Sequence, residues 1–240
     1  VRPEPGASSR WRCGLGVLAL LCVLLGLGAS LAVSFVLSLA IGLSLALPLA
    51  MLRNLPSPWA WRPVWLFTYV IRGTPLLVQL FLLYYGLAQF DAVRASPVWP
   101  WLKSAWFYAV AAFAVNTCAY TTEILHGAIQ AVPAGEVEAA RALGMGRWQA
   151  FRRIVLPSAM RRSLPAYSNE VVLMLHGTSL ASVVTLHDLT GVAREVNSIH
   201  YLPFEAFITA ALCYLAITVV LVGAFQLAER RWLRPFAPRS

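Results

Sequence analysis

The chain has 240 residues, 59% of them hydrophobic and only 12% charged. A soluble domain normally carries about 25% charged residues, so a water-facing surface over most of this molecule is excluded. The net charge of +9 would suit a nucleic-acid binder, but the arginines cluster between apolar runs. No aromatic-and-basic stripe accompanies them, which favours loops beside anionic lipid headgroups instead.

A membrane-spanning helix needs about 20 mostly apolar residues. The first apolar run, Gly14 to Leu52, is too long for one upright helix. The main span is expected at about Leu24 to Met51, with residues 1–23 an N-terminal extension and 24–240 one transmembrane domain. Arg2, Arg10 and Arg12, then Leu15 to Leu25, then Gly28-Ala29-Ser30, also read as a signal peptide. The apolar run continues past Ser30 without a polar break, which suits a retained anchor better. Arg53 to Pro58 is a turn, and Trp59, Trp61 and Trp65 place Trp59 to Ile71 along the interface. Thr74 and Pro75 can open a helix, so a second span is expected from Thr74 to about Phe90. A third runs from Ser104 to Gly127, a fourth from Leu164 to Leu186 and a fifth from Phe204 to Leu227. The expected fold is all-α and integral to the membrane, with five transmembrane helices and a polar insert at about 128–163.

The insert holds six arginines, among them Arg141, Arg147 and Arg162, and the tail holds Arg230, Arg231, Arg234 and Arg239. The loops Asp91 to Lys103 and His187 to Pro203 are poor in basic residues. Insert and C-terminus are therefore expected in the cytoplasm. Five spans put the N-terminus outside, against its three arginines; a tight hairpin of two spans within Gly14 to Leu52 is the other solution. Cys13, Cys22, Cys118 and Cys213 lie singly in apolar segments and read as packing residues. The four histidines show no metal-ligand spacing. Neither a catalytic residue, a metal nor a cofactor is expected.

Within the insert, Pro133 suits the first turn of a helix and Glu136 and Glu138 its positive end. Gly144 suits a C-cap. A second short helix is expected from Arg147 to Val155, ending where Leu156 precedes Pro157. Trp148, Phe151 and Val155 share one face. Two short helices with an exposed aromatic face make a plug for a groove on a partner; an amphipathic hairpin resting on the membrane is the alternative.

Polar residues also recur inside the spans. Asn116, Tyr120, Glu123 and Gly127 form one stripe, and Glu170, Met174, Thr178, Ser182 and Thr185 another. A carboxylate facing lipid at mid-bilayer costs about 2.5–3.5 kcal/mol, so both stripes should face protein or a watery path. They could line a route, with the glutamates attracting a cation. Equally, Glu123 and Glu170 could pair with Arg72 or loop arginines, and Asn116 and Tyr120 could bond between helices.

The insert contains Glu138-Ala139-Ala140, then Gly144, then Ile154-Val155-Leu156-Pro157. This spacing resembles the loop by which membrane subunits of ATP-binding-cassette importers grip their ATPase. Arg72 to Gln79 and Asn116 to Ile124 are similar to segments of polar-amino-acid permeases. Pro165 to Glu170 and Ala228 to Leu233 resemble the M-type subunits of histidine/lysine/arginine/ornithine importers. The resemblance covers about Gly28 to Pro238. It implies the type I importer permease fold in a bacterial inner membrane, carrying polar, basic amino acids. It implies an ATPase-coupling element made by Glu138, Ala139, Ala140, Gly144, Trp148, Phe151, Leu156 and Pro157. Asn116, Tyr120, Glu123, Glu170, Thr178 and Ser182 would belong to the translocation path. The implied partners are ABC ATPase subunits, a related Q-type permease and a periplasmic substrate-binding protein. The chain lacks a G-x-x-x-x-G-K-[ST] phosphate loop, so energy would come from another chain. A self-sufficient secondary transporter or channel is the alternative; it would show inverted repeats or broken helices in matching halves. An integral-membrane enzyme would need acid, base or metal ligands clustered at one depth.

Overall fold

A computed structural model describes residues 32–97, 99–184, 186 and 188–233, and among them every regular element is helical. Helix α1 spans Ala32–Arg53. After a turn, α2 covers Pro58–Gly73 and α3 Leu76–Phe81; α3 continues through a π turn, Leu82–Gly86, and a 3₁₀ turn, Leu87–Gln89. Two short helices, α4 Asp91–Arg94 and α5 Trp99–Leu102, lead to the long α6, Ala105–Gln130. The insert forms α7, Ala134–Ala142, and α8, Arg147–Ala150, which passes through a π turn, Phe151–Val155, into α9, Leu156–Gly177. A 3₁₀ segment, Thr178–Val184, then leads to α10, Leu189–His200, and α11, Pro203–Leu233.

Helix α6 is the centre, packed against α2, α3 and α9. Its buried face includes Ala109, Ala112, Phe113, Asn116, Thr117 and Thr121. At 1.5 Å per residue its 26 residues reach about 39 Å, enough to cross a bilayer. Helices α1 and α11 are long and apolar enough to cross alone, and two bent helix pairs can supply one crossing each. These are α2 with α3, bent by 102°, and the helical stretch 147–184 with α10, bent by 47°.

The crossing directions follow from the contacts. Ser38 Oγ donates to the carbonyl of Val110 at 3.2 Å, and Arg53 meets Glu123 at 3.4 Å. Helices α1 and α6 thus run parallel. Along the contact face of α1, Ser38, Gly42, Ala46 and Ala50 recur every four residues and all are buried. Small residues let two helix backbones approach closely in a membrane. A Cβ built on Gly42 would overlap Thr117 Cγ2 and lie 3.1 Å from the carbonyl oxygen of Ala114.

The corner between α2 and α3 has a local cause. Pro75 has no N–H to continue a helix, and Thr74 before it is extended, with φ −112° and ψ 141°. Gln79 Nε2 then donates to the carbonyls of Ile71 at 2.7 Å and Thr74 at 3.1 Å. The corner is thereby tied across its own turn.

Three expectations are corrected. The helix does not stop at Leu156-Pro157: Pro157 lies in the first turn of α9, where a missing N–H is tolerated, and the preceding turn widens. The segment before Pro203, expected to be a loop, contains α10, an amphipathic helix. Its N-cap is Asp188, whose carboxylate accepts from the Gly191 amide at 2.7 Å and from the Tyr214 hydroxyl at 3.2 Å. Broken helices, unseen in the sequence, occur at two places, with bends of different size. The expectations for residues 1–31, including the start of the first span, its two cysteines and any signal peptide, fall outside the described residues, as does the tail after Leu233.

Overpacking a tight contact costs about 1–3 kcal/mol. Gly42→Leu is therefore expected to lower the thermal unfolding midpoint of the purified protein by several degrees. Ser44 is exposed on the same helix and should accept leucine without loss. Equal midpoints for Gly42→Leu and Ser44→Leu would rule out the close α1–α6 crossing.

Candidate functional site

A cavity of about 480 Å³ opens where the α2–α3 corner meets α6 and α9. The corner contributes Arg72, Thr74 and Pro75; α6 contributes Asn116 and Tyr120; α9 contributes Glu170 and Met174. Glu170 is 5% exposed and Asn116 8%. The Arg72 guanidinium lies 5.1 Å from the centroid of the Tyr120 ring, a cation–π distance that holds the charge at the cavity wall. Asn116 Nδ2 donates to Gln79 Oε1 at 3.3 Å, and Gln79 is itself held by the corner carbonyls. The cavity therefore presents a cation and a carboxylate on two different helices, together with amide and phenol groups whose positions are constrained.

Three of the six expected path residues, Asn116, Tyr120 and Glu170, converge here. The other three do not line this cavity. Glu123 Oε1 accepts from Thr68 Oγ1 at 2.7 Å and from Arg53 Nε at 3.4 Å. It ties α1, α2 and α6 together, as the pairing alternative anticipates. Thr178 is buried and donates to the carbonyl of Leu175, one turn back. Ser182 donates to the carbonyl of Ser179 and accepts from Arg194 at 3.4 Å. Thr178 caps α9 and is buried without lining the cavity, and Ser182 leaves the Glu170 stripe because the chain tightens to a 3₁₀ helix after Gly177. A turn of three residues rotates later side chains away from the α-helical stripe. Arg72, Thr74 and Gln79 were missed as site residues. Their signal was the Thr-Pro pair, which marks a corner that can bring a polar segment inward.

In the insert, α7 ends in a Schellman motif. Gly144 has φ +76°, its amide donates to the carbonyl of Arg141 at 2.9 Å, and the Met145 amide reaches Ala140 at 3.1 Å. Few residues other than glycine adopt that conformation without strain. Glu138 and Ala139 are exposed, whereas Ala140 faces inward and is buried. Leu143 and Trp148 are 77% and 66% exposed, and Trp148 stacks on Phe151 with ring centroids 6.0 Å apart. Leu156 and Pro157 are half-buried at the start of α9. Glu136 in the first turn of α7 pairs with Arg162 of α9 at 3.2 Å, fastening the insert to that helix. Leu143 was not expected at this surface; it lies next to the glycine that ends α7.

The comparisons with known proteins agree with this architecture. Residues 38–234 match the family described as binding-protein-dependent transport system inner membrane component. The chain is 52% identical over 173 residues to the histidine/lysine/arginine/ornithine transport system permease protein HisM of Salmonella typhimurium, covering 72% of this chain and 74% of that protein. It is 47% identical over 180 residues to the octopine transport system permease protein OccM of Rhizobium radiobacter, covering 75% and 74%. Among solved structures, an amino acid ABC transporter crystallised with histidines matches with a TM-score of 0.78 and 35% identity, covering 91% of this chain and 97% of that one. The inward-facing MetNI methionine ABC transporter matches with a TM-score of 0.71 at 18% identity, covering 88% and 97%, a likeness of fold. The all-α arrangement is the type I importer permease fold, and the chain belongs to the family of inner membrane components of binding-protein-dependent transport systems.

Proposed function

We propose that this chain is the permease subunit of an importer for basic amino acids, passing them through the cavity between α2, α6 and α9. The observation that carries this reading is the placement of Arg72 and Glu170 along the same open-mouthed cavity. An amino acid carries a carboxylate and at least one ammonium, so opposite charges on separate helices can hold both ends. Glu170 is buried, and a charge-assisted contact there is stronger than in bulk water. A lysine or arginine side chain adds a second cation, for which Glu170 is the carboxylate in the cavity. Two relatives named for histidine, lysine, arginine and ornithine and for octopine support that class.

Energy comes from separate ABC ATPase subunits docked on the α7–α8 insert. Exposed Glu138, Ala139, Leu143 and Trp148 offer the partner a charged and apolar surface. Ala140, Gly144 and Phe151 shape that surface, and Leu156 and Pro157 join it to α9. A related Q-type permease shares the pathway, and a periplasmic binding protein delivers the amino acid. The insert and the C-terminus lie in the cytoplasm, consistent with the arginine bias.

Orientation is tested by placing a cysteine at exposed Gly135 in a background without the four native cysteines. A membrane-impermeant maleimide should label Gly135→Cys only after the cells are opened; labelling of intact cells would reverse the topology.

For substrate, Glu170→Gln removes a charged contact worth about 1.5–3 kcal/mol. Lysine or arginine uptake should fall about 10- to 100-fold while the ATPase still co-purifies. Glu123→Gln should instead reduce the yield of folded protein, with little further loss when Arg53→Gln is added. Normal uptake by Glu170→Gln would remove the cavity from the transport route.

Coupling is probed at Gly144, whose left-handed backbone valine resists. Gly144→Val should insert in the membrane and pair with the second permease, but recover less ATPase in a pull-down and lose uptake. Full ATPase recovery with normal uptake would show that the ATPase docks elsewhere.

A further inference from the structure

One face of α9 is turned away from both α6 and α11. Ala166, Asn169, Leu173 and His176 recur there at spacings of three, four and three, and all are exposed, so they form one stripe along the helix. Asn169 makes no side-chain hydrogen bond among the described residues. The His176 ring and the Thr218 hydroxyl are 3.3 Å apart, which sets His176 at the α11 edge of the stripe. Leu173 is 55% exposed and also lines the cavity, which sets it at the other edge. The stripe therefore borders the open mouth of the cavity.

Its depth decides what can cover it. Arg162 pairs with Glu136 of the insert and so marks one membrane face. At 1.5 Å per residue Asn169 lies about 10 Å beyond Arg162 along α9, and His176 about 21 Å. Both fall within a hydrocarbon core roughly 30 Å thick. Lipid tails offer an amide or an imidazole no hydrogen bond, so polar side chains at that depth face protein or water. The exposed faces of two other spans contrast with this one. Val36, Ile41 and Leu45 on α1 and Leu212, Leu215 and Val219 on α11 are apolar, as lipid requires. An ATPase at the insert or a protein outside the membrane does not reach this depth, so the occupant is itself membrane-embedded. Alternating gaps of three and four residues are the repeat by which one helix packs along another. Small Ala166 permits close approach, and the Asn169 amide can both donate and accept across the contact.

We propose that this stripe is the seam against which the second, related permease packs, its corresponding helix lying along α9 and closing the cavity mouth beside Leu173. The inference rests on the permease reading above. Two related subunits around a shared pathway meet through the same face of each, as in an isologous pair, so α9 meets its counterpart. Asn169 supplies a hydrogen bond between the two helices, and the cavity is complete only in the pair.

The test uses membranes holding the whole complex, with the native cysteines removed from both permeases. Ala166→Cys is combined in turn with cysteines along the partner helix that follows its insert, and oxidised with copper phenanthroline. A disulfide-linked heterodimer should form at one stripe of partner positions, and Val219→Cys on α11 should form none. No heterodimer from Ala166→Cys, or one from Val219→Cys instead, would overturn the proposal. A linked dimer of this chain alone would also overturn it, by making a second copy the occupant. So would rapid modification of Asn169→Cys by a charged methanethiosulfonate in the assembled complex, since water would then cover the stripe. When wild type and Asn169→Leu compete for a limiting partner at equal membrane levels, the variant should be recovered about three- to tenfold less often, the effect of one hydrogen bond between helices. Equal recovery would remove Asn169 from the seam. Disulfide capture needs no transport, so the seam and the cavity reading, which Glu170→Gln tests, fail separately.

Discussion

A polar side chain in contact with lipid tails lacks the hydrogen bonds that water would supply, and a carboxylate at mid-bilayer costs about 2.5–3.5 kcal/mol on insertion scales. Helix α6 carries Asn116, Thr117, Tyr120, Thr121, Thr122 and Glu123 within little more than two turns. Its solution is to be surrounded by protein. Helices α1 and α2 cover its later turns, where Thr68 and Arg53 satisfy Glu123. The α2–α3 corner and α9 cover its middle, where Asn116 meets Gln79. Much of the arrangement follows from the need to enclose this one helix. The more apolar α11 leaves Leu212, Val219 and Val220 exposed.

The same enclosure joins the cavity to the insert. From Leu156 to Gly177 the chain is one α-helix, so Glu170 stands on the rod whose foot is the insert. Between Leu156 and Glu170 that rod is about 21 Å long at 1.5 Å per residue. The Glu136–Arg162 pair fastens α7 to the same rod. An exposed ion pair adds little stability, at most about 1 kcal/mol, so its contribution is orientation. Under the proposed coupling, a displacement of α7 by an ATPase is carried along α9 to the cavity with no loop between. The π turn before Leu156 is the place where the helix departs from regular geometry, and such turns occur frequently at functional sites.

On the opposite wall, the Thr74-Pro75 corner gives the cavity a side that no straight helix could provide. It turns the chain through 102° and leaves the Arg72 end of α2 facing α6. Gln79 serves two purposes there: its amide nitrogen closes the corner, and its oxygen receives Asn116. Geometry and polarity at the site thus depend on the same side chain.

Much of this was legible in the chain itself, because long apolar runs, proline and glycine impose their effects locally. The runs placed the third and fifth spans to within a few residues of α6 and to within about two turns of α11's end. Gly144 announced the left-handed cap that ends α7, since few other residues tolerate it. The stripe of Asn116 and Tyr120 pointed to a protein-facing surface, and the cavity lies there. Other features depended on partners distant in sequence. Glu123 and Glu170 look alike as intramembrane carboxylates, and only packing gave one to Arg53 and Thr68 and the other to a cavity. Ser182 shared the helical period of Glu170, but the chain winds more tightly after Gly177 and the period no longer applies. The buried Asp188 drew no notice, because its role needs Tyr214 from α11 as well as the start of α10. Local backbone preferences are encoded within a few residues; the pairing of charges across helices is decided when those helices meet.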